Sequence, residues 1–250
     1  TRRAGRHLHG GGSRRRNDMT VVDLALAAPL ASTGRAAQLS LILDHGERDR
    51  ARCFHHDADR LLYITAHALT RHTLTNRRRS IDPSAWRFSV GPWGRPHPVN
   101  AETGELRFNL SHTQGMTAVA VAEGVDVGVD VEWIRPDDWI YDTAGTVFSP
   151  AEVASLVELA DDERRDRFFL YWTLKESYIK ARGMGVSLPL ELISFARTVG
   201  EEVTLDLDPS LEDDASSWAF ETFRPSTEVR GAVAVRAPSI ELELSWPDLS

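Results

Sequence analysis

"LRFNLSHTQGMTAVAVAEGVDVGVDVEWI", residues 106–134, is the stretch whose reading decides the fold. Leu106, Phe108 and Leu110 alternate with Arg107, Asn109 and Ser111, which is the period of a half-buried strand. "MTAVAVAEG" and "VGVDVEWI" continue as two further strands, with a turn at Glu123–Gly124 between them. Helical patterns flank this block on both sides. The mixture of strands, helices and short connections suits an α+β fold better than a regular βαβ series.

Downstream, Pro136 stops the third strand. In "FSPAEVASLVELA" (148–160) Ser149 is placed as N-cap, Pro150 at the first helical position and Glu152 three residues after the cap. A longer helix, about Asp161 to Arg182, ends at Gly183. "EEVTLDLD", "WAFETFRP", "VRGAVAVRA" and "ELELSW" read as strands, and the acidic residues 212–214 between them as a solvated loop. Upstream, Leu61, Leu62, Ile64, Ala68 and Leu69 recur at helical spacing between Asp57 and Leu74, and "SIDPSAWRFSVGPWGRPHPV" (80–99) reads as short strand, turn and loop.

A chain of 250 residues with 42% hydrophobic content buries a substantial core. Cys53 is the single cysteine, so an intrachain disulfide and a Cys-rich zinc site are excluded. No run approaches eighteen apolar residues, and no membrane span is expected. Residues 1–18 carry six arginines against Asp18 and read as a disordered basic leader preceding a cytoplasmic protein. The total net charge is −8; the leader carries +5, so the remainder carries −13, a poor balance for a nucleic-acid binder.

Asp130 and Glu132 are two apart on a strand, so both point to one face while Val129 and Val131 point to the other. At about 7 Å and an effective dielectric near 20, two carboxylates repel by roughly 2 to 3 kcal/mol, so water or a cation must compensate. Oxygen donors suit a hard ion such as Mg²⁺, which adds substrate phosphate oxygens. "WTLKESYIK" (172–180) holds the only two lysines, Lys175 and Lys180, in a chain with 27 arginines. An ammonium is a compact donor that can change pKa, whereas guanidinium is a planar fork. Glu176 between them either pairs with Lys180 on the helix surface or meets Asp130 and Glu132 as a third oxygen ligand, with the lysines facing phosphates. Ser111 and His112 are adjacent on a strand and diverge, and neither a GxSxG elbow nor a Walker A sequence is present.

Three segments in this order, "FNLSHT" (108–113), "GVDVE" (128–132) and "FSPAEVASL…RFFLYWTLKESYIKARGMGVSLPL" (148–190), resemble the surfactin-synthetase-type 4′-phosphopantetheinyl transferases. "WGRP" (93–96) is similar to the G-K/R-P turn of that family. The resemblance implies a pseudo-dimer of two similar α/β halves, 19–124 and 125–250, the second carrying the metal site. It implies transfer of the phosphopantetheine arm of coenzyme A to a serine of an apo acyl or peptidyl carrier protein, releasing 3′,5′-ADP, by a monomeric enzyme.

By matching positions, Asp130, Glu132 and Glu176 are the expected ligands of Mg²⁺, or of Mn²⁺ in its place. Lys175, Lys180, Ser111 and His112 are expected beside the coenzyme A phosphates, with Arg95 at the turn and Arg50 toward the 3′-phosphate. Lys180 is the expected donor to the departing phosphate, and the general base is Glu176, a metal-bound water or Glu152. Leu62 and Glu47 depart from the pattern, standing where relatives carry Arg and Lys. Trp139, Ile140 and Tyr141 are expected to form a carrier landing patch. A coenzyme A-binding regulator without catalysis and a metal-dependent nucleotide phosphohydrolase are the alternatives.

Overall fold

The computed structural model describes residues 19–135, 139–184, 188–197 and 203–249; the expected leader, 1–18, lies outside them. Two successions of elements follow one another along the chain. The first is β1 (Thr20–Ala27), α1 (Thr33–Leu39), α2 (His45–Arg52), α3 (Asp57–Arg77), a small hairpin β2 (Phe88–Val90) and β3 (Pro96–Pro98), then β4 (Leu106–Thr113) and β5 (Met116–Glu123). The second is β6 (Val127–Trp133), α4 (Trp139–Val147), α5 (Pro150–Val157), α6 (Asp161–Arg182), a small hairpin β7 (Ile193–Arg197) and β8 (Val203–Leu207), then β9 (Ala219–Ser226) and β10 (Val229–Val235). In each half the leading strand pairs antiparallel with the last strand of the closing hairpin, β1 with β5 and β6 with β10. The pseudo-dimer of an α+β fold is therefore written in the topology.

The halves are not separable at the expected boundary. The last strand, β11 (Ile240–Ser245), crosses back and lies parallel to β1, with Thr20 opposite Ile240 and Ala25 opposite Ser245. The first sheet runs β11–β1–β5–β4 and the second β6–β10–β9. Sequence position alone assigned β11 to the second half; its edge hydrogen bonds assign it to the first.

Side-chain size explains how the sheets pack. On β5, Ala118, Ala120 and Ala122 join the core between the sheets, while Val119 and Val121 face the core under α3. Opposite them, β6 and β10 contribute Val127, Val129, Val131, Val229, Val233 and Val235 to the same inter-sheet core. Small residues on β5 thus meet branched residues of the facing sheet, as interdigitating layers require. On β10, Ala232 and Ala234 face the other way, into the core that contains α6.

The approach of α6 is set by one glycine. A Cβ on Gly128 would overlap the Ser177 carbonyl oxygen and the Ala181 nitrogen and lie 3.0 Å from the Ala181 Cα. The helix ends at Gly183, whose φ of 66° is left-handed, with its N–H donating to the Ile179 carbonyl at 3.0 Å. The expected solvated loop at 212–214 holds for the exposed Glu212 and Asp214 and is corrected at Asp213. The Asp213 side chain is buried and accepts from Tyr178 Oη at 2.8 Å, Arg236 Nη2 at 2.8 Å and Trp218 Nε1 at 3.1 Å. A carboxylate with that many donors is more stable inside than in water.

Candidate functional site

The site begins at the seam between the halves. β4 and β6 belong to different sheets, and side chains join them in place of a backbone ladder. Asn109 Oδ1 accepts from the Val129 N–H at 3.0 Å, Ser111 Oγ from Val131 at 3.3 Å and Thr113 Oγ1 from Trp133 at 3.0 Å. Every second residue of β4 thus satisfies every second amide of β6, which would otherwise be buried without a partner. Asn109 and Thr113 were not expected in the site. Their signal was a polar residue at each alternate position of a strand whose other face is apolar.

The register places Asp130 beside Ser111. Asp130 is buried, and its Oδ1 accepts from Ser111 Oγ at 2.9 Å and from Lys180 Nζ at 2.6 Å. Lys180 also donates to Ser111 Oγ at 3.0 Å. The other oxygen, Asp130 Oδ2, is buried with no hydrogen-bond partner. Glu132, two residues on, is pushed up to about 7 by burial first and then by the negative charge of Asp130, against Arg135 and Lys180. Its Oε2 lies 3.4 Å from Thr113 Oγ1 and 3.9 Å from Arg135 Nη2. Burial and then Asp130 likewise hold Glu176 above the usual carboxylate range, with Lys180 opposing. Glu176 and Lys180 are one helical turn apart and share the face of α6 laid on β6.

Among the described residues, no three His, Cys, Asp or Glu side chains stand close enough to cage an ion. The donor set nonetheless fits a divalent cation that keeps open positions. An orphaned buried carboxylate oxygen stands beside two carboxyls whose ionisation that same charge opposes, and hard oxygen donors are what Mg²⁺ or Mn²⁺ takes.

His112 is exposed on β4; partial covering of its ring and then the Lys180 ammonium hold it below the ordinary histidine range. Ser111, Asp130 and Lys180 are therefore in direct contact, with Glu132, Glu176 and His112 coupled to them by charge.

Three expected site residues, Lys175, Glu152 and Arg95, are engaged elsewhere. Lys175 projects about 100° away from Glu176 around the helix and is 1% exposed. Its ammonium meets Glu152 Oε2 at 2.7 Å and donates to the Leu190 carbonyl at 2.7 Å and to the Ile193 carbonyl. Glu152 completes the capping box of α5 and accepts the Phe195 N–H at 2.9 Å. Lys175 and Glu152 thus satisfy each other in the core, which corrects their expected phosphate and base positions.

Arg95 donates from Nη2 to the Val127 carbonyl at 2.9 Å and from Nη1 to the Ala181 carbonyl at 2.8 Å. It clips the β2–β3 turn onto the carbonyl end of α6, where a cation is favoured, so both its forks are committed to backbone. Arg50 is exposed on α2, its guanidinium 5.7 Å from the Phe54 ring centre. Glu47 caps α2 with Asp44 and holds the fully buried Arg71 at 2.5 Å and His67 Nδ1 at 2.8 Å. That pairing accounts for an acid at this position. The side chains of Trp139, Ile140 and Tyr141, the expected landing patch, lie outside the described residues.

Residues 126–234, which include Asp130, Glu132, Glu176 and Lys180, match the model of the 4′-phosphopantetheinyl transferase superfamily. The chain is 32% identical over 199 residues to the 4′-phosphopantetheinyl transferase HetI of Nostoc sp., covering 79% of this chain and 80% of that one. It is 29% identical over 220 residues to a 4′-phosphopantetheinyl transferase of Bacillus subtilis, covering 88% and 93%. With the 4′-phosphopantetheinyl transferase Sfp of Bacillus subtilis it shares 28% over 227 residues, covering 91% and 96%. A similarity at this level, across most of both chains, makes the chain a member of the 4′-phosphopantetheinyl transferase family.

Proposed function

We propose that Asp130, Glu132 and Glu176 together hold a divalent cation, Mg²⁺ or Mn²⁺, for the family reaction: transfer of the phosphopantetheine arm of coenzyme A to a serine of an apo acyl or peptidyl carrier protein. The observation that carries this reading is the contact of Ser111, Asp130 and Lys180 beside an orphaned Asp130 Oδ2. When bound, the cation would neutralise charge on the pyrophosphate oxygens.

The chain's own residues supply the rest. Phosphoryl transfer is mostly positioning and charge stabilisation, and the seam fixes the carboxylates without loops. Lys180, the one lysine outside the core, offers a compact ammonium to the departing phosphate, and the exposed His112 is near enough to feel its charge. Glu176 shares its helix face with Lys180, whereas the oxygens of Glu152 are occupied, which favours Glu176 as the acceptor of the serine proton. We further propose that the enzyme acts as a monomer in the cytoplasm. Two halves in one chain complete the site, the single cysteine forms no intrachain bridge, and no described helix is long and apolar enough to cross a membrane.

The test is the purified protein with coenzyme A, Mg²⁺ and a panel of apo carrier proteins, read by intact mass. A phosphopantetheine adduct on the carrier, lost on chelation and in Glu176→Gln, is the expected result. Tight coenzyme A binding with no adduct would support the regulator, and phosphate release without a carrier the phosphohydrolase.

A further inference from the structure

Asp130 is fixed and Lys180 is not. The carboxylate sits with 4% of its side chain exposed, and Ser111, which donates to it, is itself tied to the Val131 N–H across the seam. The lysine is 28% exposed at the end of four flexible methylenes. Its ammonium lies 2.6 Å from Asp130 Oδ1, the position at which positive charge best offsets the cluster. A divalent cation taken at the orphaned Asp130 Oδ2 would stand across a single carboxylate from that ammonium on Oδ1, close enough for strong like-charge repulsion in a buried site. Of the two, only the lysine side chain can leave.

We propose that Lys180 and the divalent cation exclude each other at Asp130, so that arrival of the ion expels the Lys180 ammonium from the carboxylate and frees it for the substrate phosphates. The proposal rests on the metal reading given above. It makes Lys180 a competitor for the ion before it is a donor in transfer, and it gives lysine an advantage over arginine. A single-point ammonium on a flexible stem can swing from one anion to another, whereas a guanidinium fork would bind the carboxylate at two points. Lys175 cannot act in this way, because Glu152 and the Leu190 and Ile193 carbonyls enclose it.

The presence of only two lysines makes the exchange directly visible. In wild-type protein labelled with ¹³C at lysine Cε, two resonances are expected, and Lys180→Arg assigns them by removing one. On titration with Mg²⁺ alone, the Lys180 resonance should move in proportion to ion bound while the Lys175 resonance stays. Independently, Mn²⁺ binding followed by electron paramagnetic resonance should tighten tenfold or more in Lys180→Met, and should not tighten in Lys180→Arg. Saturation by Mg²⁺ with the Lys180 resonance unmoved would overturn the proposal, as would equal Mn²⁺ affinity of Lys180→Met and wild type. No Mn²⁺ binding by either protein at millimolar concentration would instead remove the metal reading beneath it.

Discussion

Gly128 of β6 and Ser177 of α6 touch backbone to backbone, with no space for a methyl group between them. That contact sets the depth at which α6 lies on the sheet, and with it the reach of Lys180 to Asp130. Gly128→Ala must push the helix outward, and overpacking of this kind costs about 1 to 3 kcal/mol. Urea unfolding should show that loss, and transfer should fall at least tenfold in the folded fraction. Wild-type stability in this variant would mean that the helix does not rest on Gly128.

The seam makes a sharper prediction about polar groups. Asn109→Ala removes the acceptor for the Val129 N–H and leaves a buried amide unpaired, at about 1 to 3 kcal/mol. Asn109→Asp keeps an acceptor at that point and should recover most of the loss. Amide hydrogen exchange at Val129 reads the effect locally: protection should drop in the alanine variant and return in the aspartate one.

The buried pair of Glu152 and Lys175 predicts a pattern that separates structure from chemistry. Removing one partner, as in Glu152→Gln, leaves a charge uncompensated in the core and costs about 3 to 5 kcal/mol. Glu152→Gln combined with Lys175→Met should regain stability, and transfer activity should return with it. A stable double variant that remains inactive would restore Glu152 to the list of bases.

Glu132 gives a pH signature in the chelated protein. Its folded pKa, about 7, lies above the value of an unfolded glutamate, near 4.5. Between those values the native state holds more protons than the unfolded one, so stability is highest below the unfolded pKa and falls as pH rises toward 7. The loss is on the order of 3 kcal/mol for a shift of this size. Thermal unfolding in EDTA from pH 5 to 8 should show the decline in wild type and a flatter profile in Glu132→Gln. A wild-type profile that rises over this range would contradict the raised pKa.

Local pattern carried much of the fold. Alternation placed β4, β5 and β6, and Ser149, Pro150 and Glu152 form the capping box expected of them. Asp130 and the valines flanking it point to opposite faces, as period two requires. What local pattern did not carry was decided by contacts between distant elements. Lys175 faces away from the cluster because α5 and β7 supply its partners, and neither adjoins it in sequence. Asp213 stands in an acidic run that reads as solvated, yet Tyr178, Trp218 and Arg236 converge on it from three separate stretches of the chain. Arg95 has the residue type for a phosphate, but its environment offers two carbonyls first.

The parallel pairing of β11 with β1 has a consequence for how the chain acquires its structure. The pairs run from Thr20–Ile240 to Ala25–Ser245, among the longest sequence separations in the molecule. Until residues 240–245 have been synthesised, β1 lacks its outer neighbour, and a nascent chain presents that bare edge to whatever strand comes near. Closing so long a loop makes this a late and slow step. Deleting residues 236–249 should therefore give a protein that associates through its open β1 edge, and adding those residues back as a peptide should cap it.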